Sequence, residues 1–272
     1  MNKVAVIGII GNSVFMPVEK FHVGGETIET KAISFEYGGK GFNQAVAAAR
    51  FNAKVSFLGA IGKNDCAKAI EFLKKENIVS CLKPKETPTA FAAIITDKTG
   101  ANRVTVYQGA QLEVKDVYDF AKEIKSADVL LINNEVGENV NLTAVKIAKG
   151  YGVKVILNPA PQKELPQEIK DNVYLFTPNE FEAKGLENYD NVIQTLGEKG
   201  CYIKSLDITV PSTKVKAVDT TGAGDTFSGV LAATIAQGES VIEAVKIAVK
   251  ASGKSVERKG AVSSIPYKKD IY

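Results

Sequence analysis

Residues 218–230 read VDTTGAGDTFSGV. A β-like run ends there in a glycine-rich turn, and a helical pattern follows over 224–237. Such a turn leaves backbone N–H groups unpaired at the positive end of a helix, which suits a phosphate or a developing anion. Gly222, Ala223 and Gly224 are small enough for close backbone approach, and Asp225 follows them. A carboxylate beside an anion site is unfavourable unless it has a task there, and taking a proton from a hydroxyl is such a task. Two other readings compete. A dinucleotide fingerprint needs a third glycine, but that position is Phe227, and no acidic strand end follows about twenty residues on. A turn that merely caps a helix is the second.

Outward from this turn, residues 36–50, EYGGKGFNQAVAAAR, repeat the strand, glycine turn and helix order. Lys40 is followed by Gly41 and not by Ser or Thr, so this is not a Walker loop. Gly39 and Lys40 sit in the turn, and Asn43 offers two donors and an acceptor, which matches vicinal hydroxyls. Alone, the segment does not separate a ligand cradle from a structural turn.

Beyond Ala53 short β-branched runs alternate with helical patterns, the signature of a three-layer α/β fold with a mostly parallel sheet. The pattern predicts strands at 3–9, 54–60, 128–132, 153–157, 173–177 and 191–195, and helices at 41–51, 65–76, 115–125, 139–151, 224–237 and 240–256. Segments 14–36 and 89–107 alternate apolar and polar residues around Gly24-Gly25 and Lys98-Thr99-Gly100, and are expected to form a β-ribbon lid. With no linker or repeat, one domain over 1–272 is expected. Apolar lid positions, including Phe15, Val18, Ile28, Phe91 and Ile95, point to a homodimer through the lid.

The 34 basic and 31 acidic residues nearly cancel and cluster only in pairs, so no nucleic-acid partner is expected. The apolar start MNKVAVIGII is broken by Gly8 and Gly11 and reads as a buried strand of a cytoplasmic protein, with no membrane span. Cys66, Cys81 and Cys201 lack C-x-x-C spacing and read as reduced structural thiols. His22, the only histidine, reads as a loop side chain.

Taken together, GGKGFNQAVAAAR and DTTGAGDTFSGVL resemble the paired signatures of the ribokinase-like, or PfkB, carbohydrate kinases, in the family's order. The resemblance implies ATP-dependent phosphorylation of a hydroxyl on a sugar-like molecule, with Asp225 as base, the 222–224 turn as anion hole, and Mg²⁺ and K⁺ as cofactors. It implies sugar contacts from Asn12, Gly39, Lys40, Asn43 and Glu135, and nucleotide contacts from Asn179, Thr195, Gly197, Gly200 and Gly224. Glu182 is implied near Mg²⁺ through water, and Asp219, Thr221, Ser255, Arg258, Gly260 and Ser264 around the monovalent cation. Asn158-Pro159-Ala160-Pro161 is similar to a family tetrapeptide.

Two departures stand out. The family's Asn-x-Asp after the first strand reads Asn12-Ser13-Val14 here, so the Asp is missing; Glu135 or Glu36 would have to take over, or the acceptor is altered. The crossover after Glu182 is short, near the minimum of about a dozen residues for parallel strands. A nucleoside or vitamin kinase of the same fold, and a silent sugar- or nucleotide-sensing protein, remain open.

Overall fold

In the computed structural model, which describes residues 2–99 and 101–272, the β-branched runs become strands and the 3.6-period segments become helices. The first half holds β1 (Lys3–Ile7), β2 (Gly11–Pro17), β3 (Ser34–Gly38), α1 (Lys40–Arg50), β4 (Lys54–Leu58), β5 (Ala60–Gly62), α2 (Cys66–Lys75), β6 (Ile78–Ser80), β7 (Lys83–Lys85), β8 (Ala90–Thr96) and β9 (Asn102–Tyr107). The second holds α3 (Val114–Asp119), α4 (Ala121–Ser126), β10 (Val129–Asn133), α5 (Glu138–Gly150), β11 (Lys154–Asn158), α6 (Gln167–Lys170), β12 (Leu175–Phe176), β13 (Ile193–Thr195), β14 (Cys201–Ile203), β15 (Ile208–Val210), α7 (Ala223–Ala236) and α8 (Val241–Ser255).

The main sheet runs β12-β11-β10-β1-β4-β6, with every pair parallel. Its two faces are covered by different helices, which the two-residue period of β1 makes visible. Val4 and Val6 enter a core with residues of α1, α7 and α8, whereas Ala5 and Ile7 enter one with residues of α3, α4 and α5. The result is three layers, as the sequence indicates. The C-terminal ends of β1, β10, β11 and β12 then open on one side, where open α/β sheets bind ligands.

The short crossover between β12 and β13 is made of turns with no helix. Phe176 and Val192 still bridge in parallel, while Leu186 is buried and the Tyr189 ring stacks edge-on against Phe176 at 5.8 Å. β14 and β15 continue from β13 antiparallel.

The lid is a four-stranded sheet, β3-β2-β8-β9. Its ribbons are antiparallel but join through a parallel β2–β8 pair, and 18–33 is an irregular excursion that turns at Gly24-Gly25. Gly100 of the expected Lys98-Thr99-Gly100 turn lies outside the described residues. The helix expected over 115–125 divides at Phe120, whose φ of −90° and ψ of 0° close α3 and open α4 while its ring is buried. Cys66, Cys81 and Cys201 are free thiols, and His22 is exposed in the excursion. Among the described residues, no helix is long and apolar enough to cross a membrane.

Candidate active site

Gly222, with φ of +75°, caps α7, so its conformation favours glycine, and a Cβ there would also sit tightly against Ala261 O at 3.1 Å. The amides of Gly224 and Asp225 fall in the first turn, where an α-helix supplies no acceptors. A Cβ on Gly224 would face open space, so packing does not account for this glycine. Asp225 is only 6% exposed. Its Oδ2 accepts from Asn43 Nδ2 at 2.9 Å and its Oδ1 from Gln44 Nε2 at 3.2 Å, both donors arriving on α1. Gln44 Nε2 also donates to Asn158 Oδ1 at 3.2 Å, and Asn158 Nδ2 donates to Thr177 O at 2.8 Å. Burial pushes the Asp225 carboxyl above the ordinary carboxylate range; the Lys40 cation and the Asn43 and Gln44 donors pull it back only in part. A dry, more basic carboxylate held at both oxygens is suited to accept a proton from an alcohol.

A cavity of about 650 Å³ opens between the lid and the strand ends, with Asn12, Ser13, Gly39, Lys40, Glu135 and Lys163 in its walls. Glu135 Oε2 accepts from the Lys40 amide at 2.7 Å. Burial, and then the Asp225 charge, push the Glu135 carboxyl up to about 7 against the pull of the Lys40 cation and the Lys40 and Gly41 amides. The Asp225 charge, with help from Glu135 and Glu182, holds the Lys40 ammonium above its ordinary value despite burial. Asn12 Nδ2 donates to Asp65 Oδ2 at 3.3 Å, and Asp65 also accepts from the Thr89 hydroxyl. Asn12, Gly39, Lys40 and Glu135 share one cavity, whereas Asn43 and Asp225 pair outside its walls. Val14, the position of the missing carboxylate, is buried and outside the walls. Glu36 is corrected as a surrogate sugar contact: its carboxylate turns to the amides of Ala261 and Val262. Sequence reading missed Gln44, Asp65 and Lys163, and gave Asn158 no role beyond its tetrapeptide. Gln44, next to Asn43, also carries a local signal.

Of the residues expected to contact nucleotide, Asn179 and Thr195 bridge in parallel at neighbouring strand ends. Asn179 Oδ1 accepts from the Phe181 and Glu182 amides at 2.9 Å, and Glu182 Oε2 accepts in turn from the Asn179 amide at 3.0 Å. Gly197 stands free in a tight turn. Gly200 is accounted for by packing, because a Cβ there would collide with Val210 O. Burial raises the Asp219 carboxyl, but bonds from Gly260 N at 3.0 Å and from the Thr221 hydroxyl and amide at 2.7 and 2.9 Å outweigh it and leave it below the ordinary range. Ser255 and Ser264 spend their hydroxyls on the Ser252 and Ala261 carbonyls, and Arg258 is exposed.

Comparison with known proteins identifies the family and the fold. A ribokinase of Lactococcus lactis is 35% identical over 283 residues, spanning 98% of this chain and 94% of that one. A deoxyribokinase of Salmonella typhi is 34% identical over 270 residues, spanning 89% and 88%. The solved structure of Arabidopsis thaliana ribokinase complexed with ribose and ATP superimposes with a TM-score of 0.84 at 26% identity, covering 99% of this chain and 97% of that one. The profile described as pfkB family carbohydrate kinase matches residues 1–268, and the chain belongs to that family.

Proposed function

We propose that this chain, as one kinase domain over 1–272, transfers the γ-phosphoryl of ATP to a hydroxyl of a ribose-like sugar. The observation that carries this reading is the buried Asp225 carboxylate, fixed by Asn43 and Gln44 beside the first-turn amides of Gly224 and Asp225. Asp225 removes the proton of the attacking hydroxyl, and the turn's amides, with Lys40, receive the charge of the moving phosphoryl group. Asn12, Gly39, Lys40, Asn43 and Glu135 hold the sugar. Asn179, Thr195, Gly197, Gly200 and Gly224 hold the nucleotide. Mg²⁺ fits beside Glu182, which keeps one carboxylate oxygen outside its bond with Asn179, and would neutralise charge on the phosphates. K⁺ is assigned to the loop formed by Asp219, Thr221, Ser255, Arg258, Gly260 and Ser264, where bonds from the Gly260 and Thr221 amides and the Thr221 hydroxyl keep the Asp219 carboxylate anionic. By register and two-residue period the exposed side chains of Phe35, Phe91 and Tyr107 lie on one face of the lid, and a second copy covers them. We place the reaction in the cytoplasm, where ATP is available.

Val14 at the missing carboxylate's position favours an acceptor with fewer hydroxyls to grip, and the deoxyribokinase relative gives this second reading a chemical precedent. A coupled ADP-release assay with D-ribose, 2-deoxy-D-ribose, hexoses and nucleosides tests both. Pentose-dependent release supports the proposal, and the better pentose chooses between the two acceptors. Release with nucleosides alone would move the acceptor class, and no release despite intact nucleotide binding would leave a sensor.

A further inference from the structure

Glu36 stands on β3 opposite Ser13, two residues before the Gly38-Gly39-Lys40 turn that enters the cavity. Its carboxylate does not face that cavity. Oε2 accepts from the amides of Ala261 and Val262 at 3.1 and 3.2 Å, and Oε1 accepts from the Ser263 hydroxyl at 2.6 Å. The preceding amide, Gly260 N, donates to Asp219 at 3.0 Å. Three successive amides are thus shared between two carboxylates, one from the lid and one from the irregular segment that leads from β15 to the anion turn. Gly260, with φ of +98°, leaves room for the arrangement, since a Cβ there would collide with Glu36 Oε1. The same loop leans on the catalytic helix, because Ala261 O lies 3.1 Å from where a Gly222 Cβ would stand.

We propose that Glu36 is a positioning residue that fastens the lid strand to loop 260–263 and couples the lid to the Gly222 turn. Bonds to a charged carboxylate are among the stronger ones, and three converge here. A ligand that settles the anion turn therefore also quiets β3, which lies outside the nucleotide contacts. The inference rests on nucleotide binding at that turn, but not on the identity of the acceptor.

Hydrogen exchange, with and without saturating Mg²⁺ and a non-hydrolysable ATP analogue, reads the coupling directly. In the wild-type protein the analogue should slow exchange about fivefold or more in peptides covering 34–38 and 260–263. In Glu36→Ala the analogue should still bind, with its Kd changed by less than about threefold, while protection of 34–38 disappears. A merely structural staple would loosen both peptides equally with and without nucleotide. Wild-type lid exchange that ignores the analogue overturns the proposal, as does lid protection that survives Glu36→Ala. Should that variant not fold, Ser263→Ala removes one of the three donors without touching the lid, and an unchanged lid response there counts against the coupling. If the analogue fails to bind at all, the kinase reading itself falls, which is a separate result.

Discussion

Glu135→Gln converts the electrostatics of the cavity into a measurable dependence of stability on pH. Burial and the Asp225 charge move the Glu135 carboxyl from 4.5 up to about 7 in the folded protein. Below about pH 4.5 both folded and unfolded states hold the proton, so the group costs nothing. Between about 4.5 and 7 the unfolded state releases its proton first, and wild-type stability falls as pH rises; above about 7 the loss is complete. At about 1.4 kcal/mol per pH unit the ceiling is about 3 kcal/mol, and solvent at the open side of the cavity reduces it. Glutamine still offers an acceptor to the Lys40 amide and has no proton to lose. The stability of the variant relative to wild type should therefore grow by about 2–3 kcal/mol from pH 4.5 to pH 8, or roughly 5–10 °C in Tm. Urea unfolding at four pH values measures it. A difference that is constant with pH, or that shrinks toward pH 8, refutes the account of Glu135.

Three further outcomes follow from the same geometry. Gln44→Met removes one donor from Asp225, whose carboxyl then rises further, so the acid limb of the kcat profile should move to higher pH; an unmoved limb with activity lost equally at every pH would make Gln44 purely structural. Activity should rise when K⁺ replaces a bulky organic cation at constant ionic strength, and a flat response would remove the ion from the Asp219 loop. Light scattering at micromolar concentration should report a dimer, which a Phe35→Glu change on the exposed lid face should weaken; a wild-type monomer would end the lid-pairing proposal.

The sequence made the turn and the parallel sheet legible because both are local: glycine spacing, the Asp after it and the period of each segment lie within a few residues. The shared cavity of Asn12, Gly39, Lys40 and Glu135 was legible through family resemblance. What escaped depends on register and distance. Gln44 reaches Asn158 across 114 positions, and Asn12 reaches Asp65 across 53, so no window of sequence contains either pair. Glu36 looked like a cavity carboxylate from its place before the glycine turn. Only the pairing of β3 with β2 and the approach of loop 260–263 decide where its side chain goes. Helical periodicity does not reveal the division of the helix at Phe120, whose ring is buried.

The central claim is that Asp225 activates the acceptor hydroxyl. Asp225→Asn keeps the shape and removes the basicity, and single-turnover transfer with the best sugar of the panel, beside nucleotide binding by calorimetry, measures the consequence. The account predicts a fall of about 10²- to 10⁴-fold in the transfer rate with nucleotide affinity largely kept. A fall of less than about tenfold, with the sugar bound normally, would contradict it.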